Sequence, residues 1–240
     1  MMAGESHETM LSVEELSFSY GAVRVLNEVS LSVPRGRIVC VMGRNGVGKT
    51  TLMKNVMGLL KPEFGMVLLD GRDLTSLSAH QRARAGLGLV PQGRQIFPRL
   101  TIEENLRVGL QARRDRQRKI PEFIYEIFPL LKEMGRRKGG DLSGGQQQQL
   151  AIGRALVGDP QVLLLDEPTE GIQPNIIQQI GEVLLYLVEE KGLTVLLVEQ
   201  YLEFVREFGH EFVLMDRGRV VAQGETADLT KEIVQAHLTV

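Results

Sequence analysis

The feature that most constrains this chain is an unbroken apolar run, IVCVM (Ile38–Met42), that meets a glycine-rich turn, GRNGVGKT (residues 43–50), and then a helix-forming stretch, TLMKNVMGLL. Five consecutive apolar residues of strand length require cover on both faces, which is the environment of a parallel sheet. The turn between strand and helix matches G-x-x-x-x-G-K-[ST], a pattern expected in on the order of 1% of chains of this length by composition alone. Its residue types state its chemistry. Gly43, Arg44, Asn45, Gly46, Val47 and Gly48 allow the backbone to curl so that several N–H groups converge on an anion. The helix beginning near Lys49, Thr50 and Thr51 adds its positive end. A lysine at this place puts a full charge on a terminal phosphate, and the Thr50 hydroxyl suits a Mg²⁺ ligand. This is the phosphate-binding loop of a nucleotide site.

Further strand patterns follow at Leu87–Val90, 162–165, Thr194–Val198 and 212–215, mostly unbroken rather than alternating. Residues 11–33 alternate apolar and polar instead, predicting half-buried antiparallel strands. Between residues 98 and 159 the pattern becomes helical, and Thr101 with Glu104 forms a capping-box pair. The expected fold class is α/β: a P-loop NTPase with a mainly parallel core sheet, an N-terminal antiparallel β subdomain and an inserted α-helical lobe. The expected domain is one unit, 10–240, with its core at 10–92 and 160–240 and its lobe at about 93–159. The first ten residues read as a frayed tail, and only about 20 residues follow the last strand pattern, which argues against an appended regulatory domain.

The strand at 162–165 ends in Asp166 and Glu167. Ligands of parallel sheets gather beyond the strands' C-terminal ends, so both carboxylates are expected beside the phosphate loop. Asp166 suits Mg²⁺ and Glu167 suits a general base or water-orienting group. The expected ligands are therefore ATP and Mg²⁺.

Composition limits the alternatives. The chain has 240 residues and a net charge of −2, which gives no sign of a protein built to neutralise nucleic-acid phosphates. Its longest apolar runs are far short of the roughly 20 residues of a membrane span, and MMAGESHETM lacks the apolar core of a signal peptide. The single cysteine, Cys40, lies in an apolar run and is read as a buried small hydrophobe. The four histidines show no metal-ligand spacing. The basic stretch ARRDRQRK (112–119) is read as a solvated helix face or loop.

The segment LSGGQ (residues 142–146) resembles the signature of the ATP-binding-cassette family, and the resemblance covers nearly the whole chain. It implies an ATPase in which Ser143, Gly144, Gly145 and Gln146 of one subunit close over ATP held by the phosphate loop of another. It also implies adenine stacking on Tyr20, and a role for Gln92 at Mg²⁺ and the attacking water. The segment GRQIFPRLTIEENL then faces a membrane partner. Gln200 stands where the family usually has a histidine, and Gln173 where many members have an aspartate.

Both departures resemble the branch of branched-chain amino acid and amide importers. Within it, EPTEGIQP, GGDLSGGQQQQLAI, PQGRQIFPRLT and LLVEQYLEF are most similar to the urea-importer ATPase subunit. The catalytic set implied is Glu167, Gln92, Gln200 and Lys49. The implied partners are a second, different ATPase subunit, two transmembrane permease subunits and an extracytoplasmic substrate-binding protein. Placement would be cytoplasmic, peripheral on the inner membrane face, with no nucleic acid. The alternatives are an amino-acid-importing paralogue, an ATP-gated structural subunit without efficient turnover, and a non-transport cassette ATPase acting on DNA or ribosomes.

Overall fold

The computed structural model describes residues 8–230 and 232–233. The chain runs β1 (Thr9–Tyr20), β2 (Val23–Pro34), β3 (Ile38–Met42), α1 (Lys49–Met57), β4 (Phe64–Leu69), β5 (Arg72–Asp73), α2 (Ala79–Ala85) and β6 (Leu87–Val90). Four helices follow: α3 (Ile102–Gly109), α4 (Glu122–Ile127), α5 (Pro129–Glu133) and α6 (Gly144–Leu156). Then come β7 (Val162–Asp166), α7 (Pro174–Lys191), β8 (Thr194–Val198), α8 (Leu202–Phe208), β9 (Glu211–Asp216) and β10 (Arg219–Glu225).

Two sheets form. One is antiparallel in the order β2-β1-β4-β5, and the other runs β10-β9-β3-β8-β7-β6. In the second, β6, β7, β8, β3 and β9 are mutually parallel and β10 is an antiparallel edge. The continuous apolar strands are explained by which side each residue faces. Ile38, Cys40 and Met42 pack with Leu163, Leu165, Val195 and Leu197 against the side that carries α6, α7 and α8. Val39 and Val41 pack with Leu164, Leu196 and Val198 against α1 and the antiparallel sheet. Alternation is therefore present, but both sides are core, so every position is apolar.

The expected tail differs at its end. Thr9 pairs with Pro34, and Met10, 1% exposed, joins the core against the antiparallel sheet. The Met10 carbonyl also accepts from Asp70 N–H at 2.8 Å. Pairing to a distant strand, which local polarity does not reveal, orders these two residues. Residues 1–7 lie outside the described residues.

Strands β4 and β10 had no distinct sequence pattern. Phe64 and Met66 point outward, 67% and 44% exposed, so β4 lacks a polar outer face. The helical stretch is as expected: α3 to α6 lie between β6 and β7 in the chain, and the Thr101 capping box closes with Glu104 N–H to Thr101 Oγ1 at 3.2 Å and Thr101 N–H to Glu104 Oε2 at 2.7 Å. Most of 112–119 is exposed irregular chain, but Arg113 is tucked in against Asp115. That ion pair, with the Val157 carbonyl as a further acceptor, is why this one arginine is not solvated.

Candidate functional site

Neighbouring parallel strands bring four segments to one edge. The strand order β3-β8-β7-β6 sets side by side the loop after β3, Glu199 and Gln200 after β8, Asp166 and Glu167 at the end of β7, and Gln92 just after β6. A row of hydrogen bonds follows the same order. Gln200 Nε2 donates to Asn45 Oδ1 at 2.7 Å and to Glu167 Oε1 at 2.6 Å, while Gln92 Nε2 donates to Glu167 Oε2 at 2.9 Å. Gln92 Nε2 also reaches Glu170 Oε2 at 3.2 Å.

The loop after β3 is shaped by close packing. Gly43 has φ +148°, and a Cβ there would lie 2.4 Å from the Met215 carbonyl oxygen of β9. Gly48 has φ +109°, with the Val25 carbonyl 3.0 Å from the place of its missing Cβ. The β1–β2 hairpin is thus held against the loop. Near its turn stands Tyr20, whose ring is half exposed and edge-on to Phe18 at 4.9 Å.

Lys49 opens α1 and is buried, its Nζ donating to the carbonyls of Gly43 at 2.7 Å and Arg44 at 3.0 Å. Burial pushes the ammonium below the ordinary lysine range, opposed by the charges of Glu167, Asp166 and Glu199. Thr50 Oγ1 donates to Asp166 Oδ1 at 3.3 Å. Burial first, and then the Glu167 charge, push the Asp166 carboxyl up to about 6 against that hydrogen bond.

Adjacent strand residues point oppositely, yet Asp166 and Glu167 both face the loop. Glu167 achieves this with a left-handed backbone, φ +51°, anchored by its N–H to the Val198 carbonyl at 3.0 Å. Such strain in a non-glycine residue persists only where the surroundings over-determine it.

Among the described residues no group of three or more His, Cys, Asp or Glu side chains is arranged to hold a metal ion. The donor set does fit Mg²⁺, which takes one or two protein oxygens and fills its octahedron with phosphate and water. The Thr50 hydroxyl and Asp166 carboxylate are adjacent, and the mutual repulsion of Asp166 and Glu167 is the kind a divalent cation relieves.

The second glycine-containing helix start is built differently. Ser143 caps α6 in a box with Gln146, with Ser143 N–H to Gln146 Oε1 at 3.0 Å and Gln146 N–H to Ser143 Oγ at 3.4 Å. A Cβ on Gly144 would meet the Arg94 guanidinium, and one on Gly145 would meet Ile176. Neither neighbour belongs to the phosphate loop. Gln173 is an exposed residue preceding α7, with no side-chain cap bond.

The chain thus has two glycine-containing helix starts, and comparison with known proteins identifies its family. The family model described as ABC transporter matches residues 26–170. The chain belongs to the ABC transporter family. It is 40% identical over 221 residues to the high-affinity branched-chain amino acid transport ATP-binding protein BraG of Pseudomonas aeruginosa, covering 92% of this chain and 94% of that protein. It is 35% identical over 221 residues to the probable branched-chain amino acid transport ATP-binding protein LivF of Archaeoglobus fulgidus, covering 92% and 94%. Among solved structures it resembles a nucleotide-free ATP-binding cassette from an ABC transporter, with a TM-score of 0.82, 28% identity, and coverage of 97% and 96%. It also resembles the dimeric post-hydrolysis cassette MJ0796 bound to ADP and Pi, with a TM-score of 0.80, 28% identity, and coverage of 90% and 99%. The expected α/β cassette fold is the fold found. This ABC ATPase hydrolyses ATP to power transport, in a family whose ATPase subunits form dimers and work with permeases.

The sequence reading missed Glu170, Arg94 and Glu199. Glu199 carried a usable signal, because it ends an apolar strand as Asp166 does. Glu170 and Arg94 lie in loops, where only the folded chain shows that Arg94 donates to the Glu170 carbonyl at 3.2 Å.

Proposed function

We propose that this ABC ATPase drives uptake of branched-chain amino acids, as the nucleotide-binding domain of an importer on the cytoplasmic face of the membrane. The support is the likeness to two ATP-binding proteins named for branched-chain amino acid transport, at 40% and 35% identity. A second reading, import of urea or short amides, is favoured by the loop EPTEGIQP that follows Leu165 and Asp166. Cargo need not touch this chain, so the motor is common to both.

In the proposed mechanism the loop of residues 43–48, Lys49 and Thr51 hold the ATP phosphates, with adenine on the Tyr20 ring. Thr50 and Asp166 would hold Mg²⁺, which when bound neutralises charge on the β- and γ-phosphate oxygens. Glu167 orients the attacking water and accepts its proton. The amides of Gln92 and Gln200, which grip both carboxylate oxygens of Glu167, aim it and report on the γ-phosphate. Glutamine at 200 donates a hydrogen bond but carries no charge, so Lys49 supplies the nearby positive charge. Ser143, Gly144, Gly145 and Gln146 of a second subunit close the site.

That second subunit is proposed to be a different paralogue. Two permease subunits and an extracytoplasmic substrate-binding protein complete the importer. A groove of about 360 Å³ lined by Leu89, Pro91, Phe97, Val108 and Ala155 lies between the α/β core and the helical lobe, beside the segment proposed to meet the permease. Among the described residues no helix is long and apolar enough to cross a membrane, so membrane contact is assigned to the partners.

The test is uptake of labelled leucine and labelled urea by cells lacking this subunit, complemented with the parent or with Glu167→Gln. Leucine uptake restored by the parent alone supports the proposal. Urea uptake restored instead moves the cargo to the second reading. If the parent restores neither, both cargo proposals fail.

A further inference from the structure

Glu199 ends the row of parallel strands beside Gln200 and is 2% exposed. A buried carboxylate is costly unless its lone pairs are filled, and here they are filled by two different loops. Oε1 accepts from the Thr169 N–H at 3.1 Å and the Thr169 hydroxyl at 2.6 Å. Oε2 accepts from the N–H groups of Gln200 at 2.9 Å and Tyr201 at 3.1 Å. The Glu199 N–H is itself fixed to the Val41 carbonyl of β3 at 3.1 Å. Thr169 belongs to the loop that Glu167 begins, and Gln200 begins the loop that leads into α8.

We propose that Glu199 is a positioning residue for hydrolysis: its carboxylate is a brace that locks the Glu167 loop to the Gln200 loop. The inference rests on the roles given above to Glu167 and Gln200. The two side chains meet at 2.6 Å, and Glu167 holds a left-handed backbone that needs outside support. Four charge-assisted hydrogen bonds to a single buried group supply that support. A neutral residue would leave donors of at least one loop unpaired and let the two side chains drift. A misplacement of about 1 Å at a reacting group costs roughly 100-fold in rate. The brace reaches the reaction only through the residues it holds, because its oxygens are occupied.

The test compares the full-length parent with Glu199→Gln, which keeps side-chain size but offers one acceptor oxygen in place of two. Phosphate release by Glu199→Gln should fall at least about tenfold in kcat, with KM for ATP changed less than about threefold. Gln200→Ala should also slow turnover, and the double variant should be no slower than the slower single variant, since one substitution already breaks the shared arrangement. A residue that only stabilised the fold would give additive losses. Glu203→Gln, on the exposed side of α8, should turn over like the parent. Backbone amide exchange in nucleotide-bound protein gives a readout independent of turnover. Exchange at Thr169, Gln200 and Tyr201 should quicken about tenfold or more in Glu199→Gln, while α1 stays as in the parent.

A kcat within twofold of the parent, additive losses in the double variant, or unchanged exchange at those three amides would each overturn the brace. A parent that releases no phosphate would count against the roles given to Glu167 and Gln200, and the exchange measurement would then decide the brace alone.

Discussion

The two helix starts proposed to meet phosphate, at α1 and at α6, are made in opposite ways. The loop before α1 is a product of long-range packing. Gly43 abuts the backbone of β9, Gly48 abuts the β1–β2 hairpin, and Lys49 is buried among carbonyls and three carboxylates. The start of α6 is local: Ser143 and Gln146 satisfy each other's backbone, and Ser143 stays exposed. The first is proposed as a half-site for ATP, built wholly from one chain. The second is a rigid cap presented outward, which is the form a surface needs if it is to meet ATP bound elsewhere. Under the proposed function, a pair of chains would match these two unlike halves head to tail.

That contrast can be broken at the buried end most severely. Gly43→Ala should destabilise the protein by about 3 kcal/mol, from a positive φ together with a contact against backbone that cannot rotate away. The check is denaturant unfolding of the apo chain, and a loss under 1 kcal/mol would show the loop to be looser than described. Next, Lys49→Ala should weaken ATP binding by roughly tenfold or more while leaving the fold intact, since it removes a full positive charge from the proposed phosphate site. Titration with a fluorescent nucleotide tests this, and unaltered affinity would remove Lys49 from the site.

An effect of comparable size is expected from pH. The folded Asp166 carboxyl sits at about 6, above the unfolded value of 3.8. Its contribution to stability is therefore fully present below about pH 4 and is lost as pH rises through 6. The apo parent should lose on the order of 2 kcal/mol relative to Asp166→Asn between pH 4 and 7, measured by paired melting curves. Parallel pH profiles would refute the shift.

The smallest change belongs to the local cap. Ser143→Ala should cost about 1 kcal/mol of stability and leave ATP affinity of the separate subunit unaltered. It should nevertheless reduce ATP-dependent subunit association seen by analytical ultracentrifugation. Weakened nucleotide binding by the lone subunit would mean that α6 serves its own loop, and would undo the comparison.

Much of the cassette was legible in the sequence because its parts are locally determined. IVCVM reads as a two-faced buried strand, since no polar residue interrupts it. Glycines and a lysine at fixed offsets read as a phosphate cradle, and Thr101 with Glu104 reads as a cap, because the partners lie within one helical turn. Residues 9 and 10, strand β4 and the tucked Arg113 were not legible. Their order comes from partners distant in the chain, Pro34 across from Thr9, Leu11 across from Leu69 and the Val157 carbonyl beside Arg113.

The sequence by itself determined which chemistries the chain carries: a phosphate cradle, two carboxylates at a strand end, and a capped glycine helix. Only the tertiary structure decided how they meet. Sequence spacing cannot say that β8 inserts between β3 and β7, yet that strand order puts Gln200 between Asn45 and Glu167 and lets Glu199 tie two loops together. Hydrogen bonds act over about 3 Å, and residues 155 positions apart come within that range only when the whole sheet has formed.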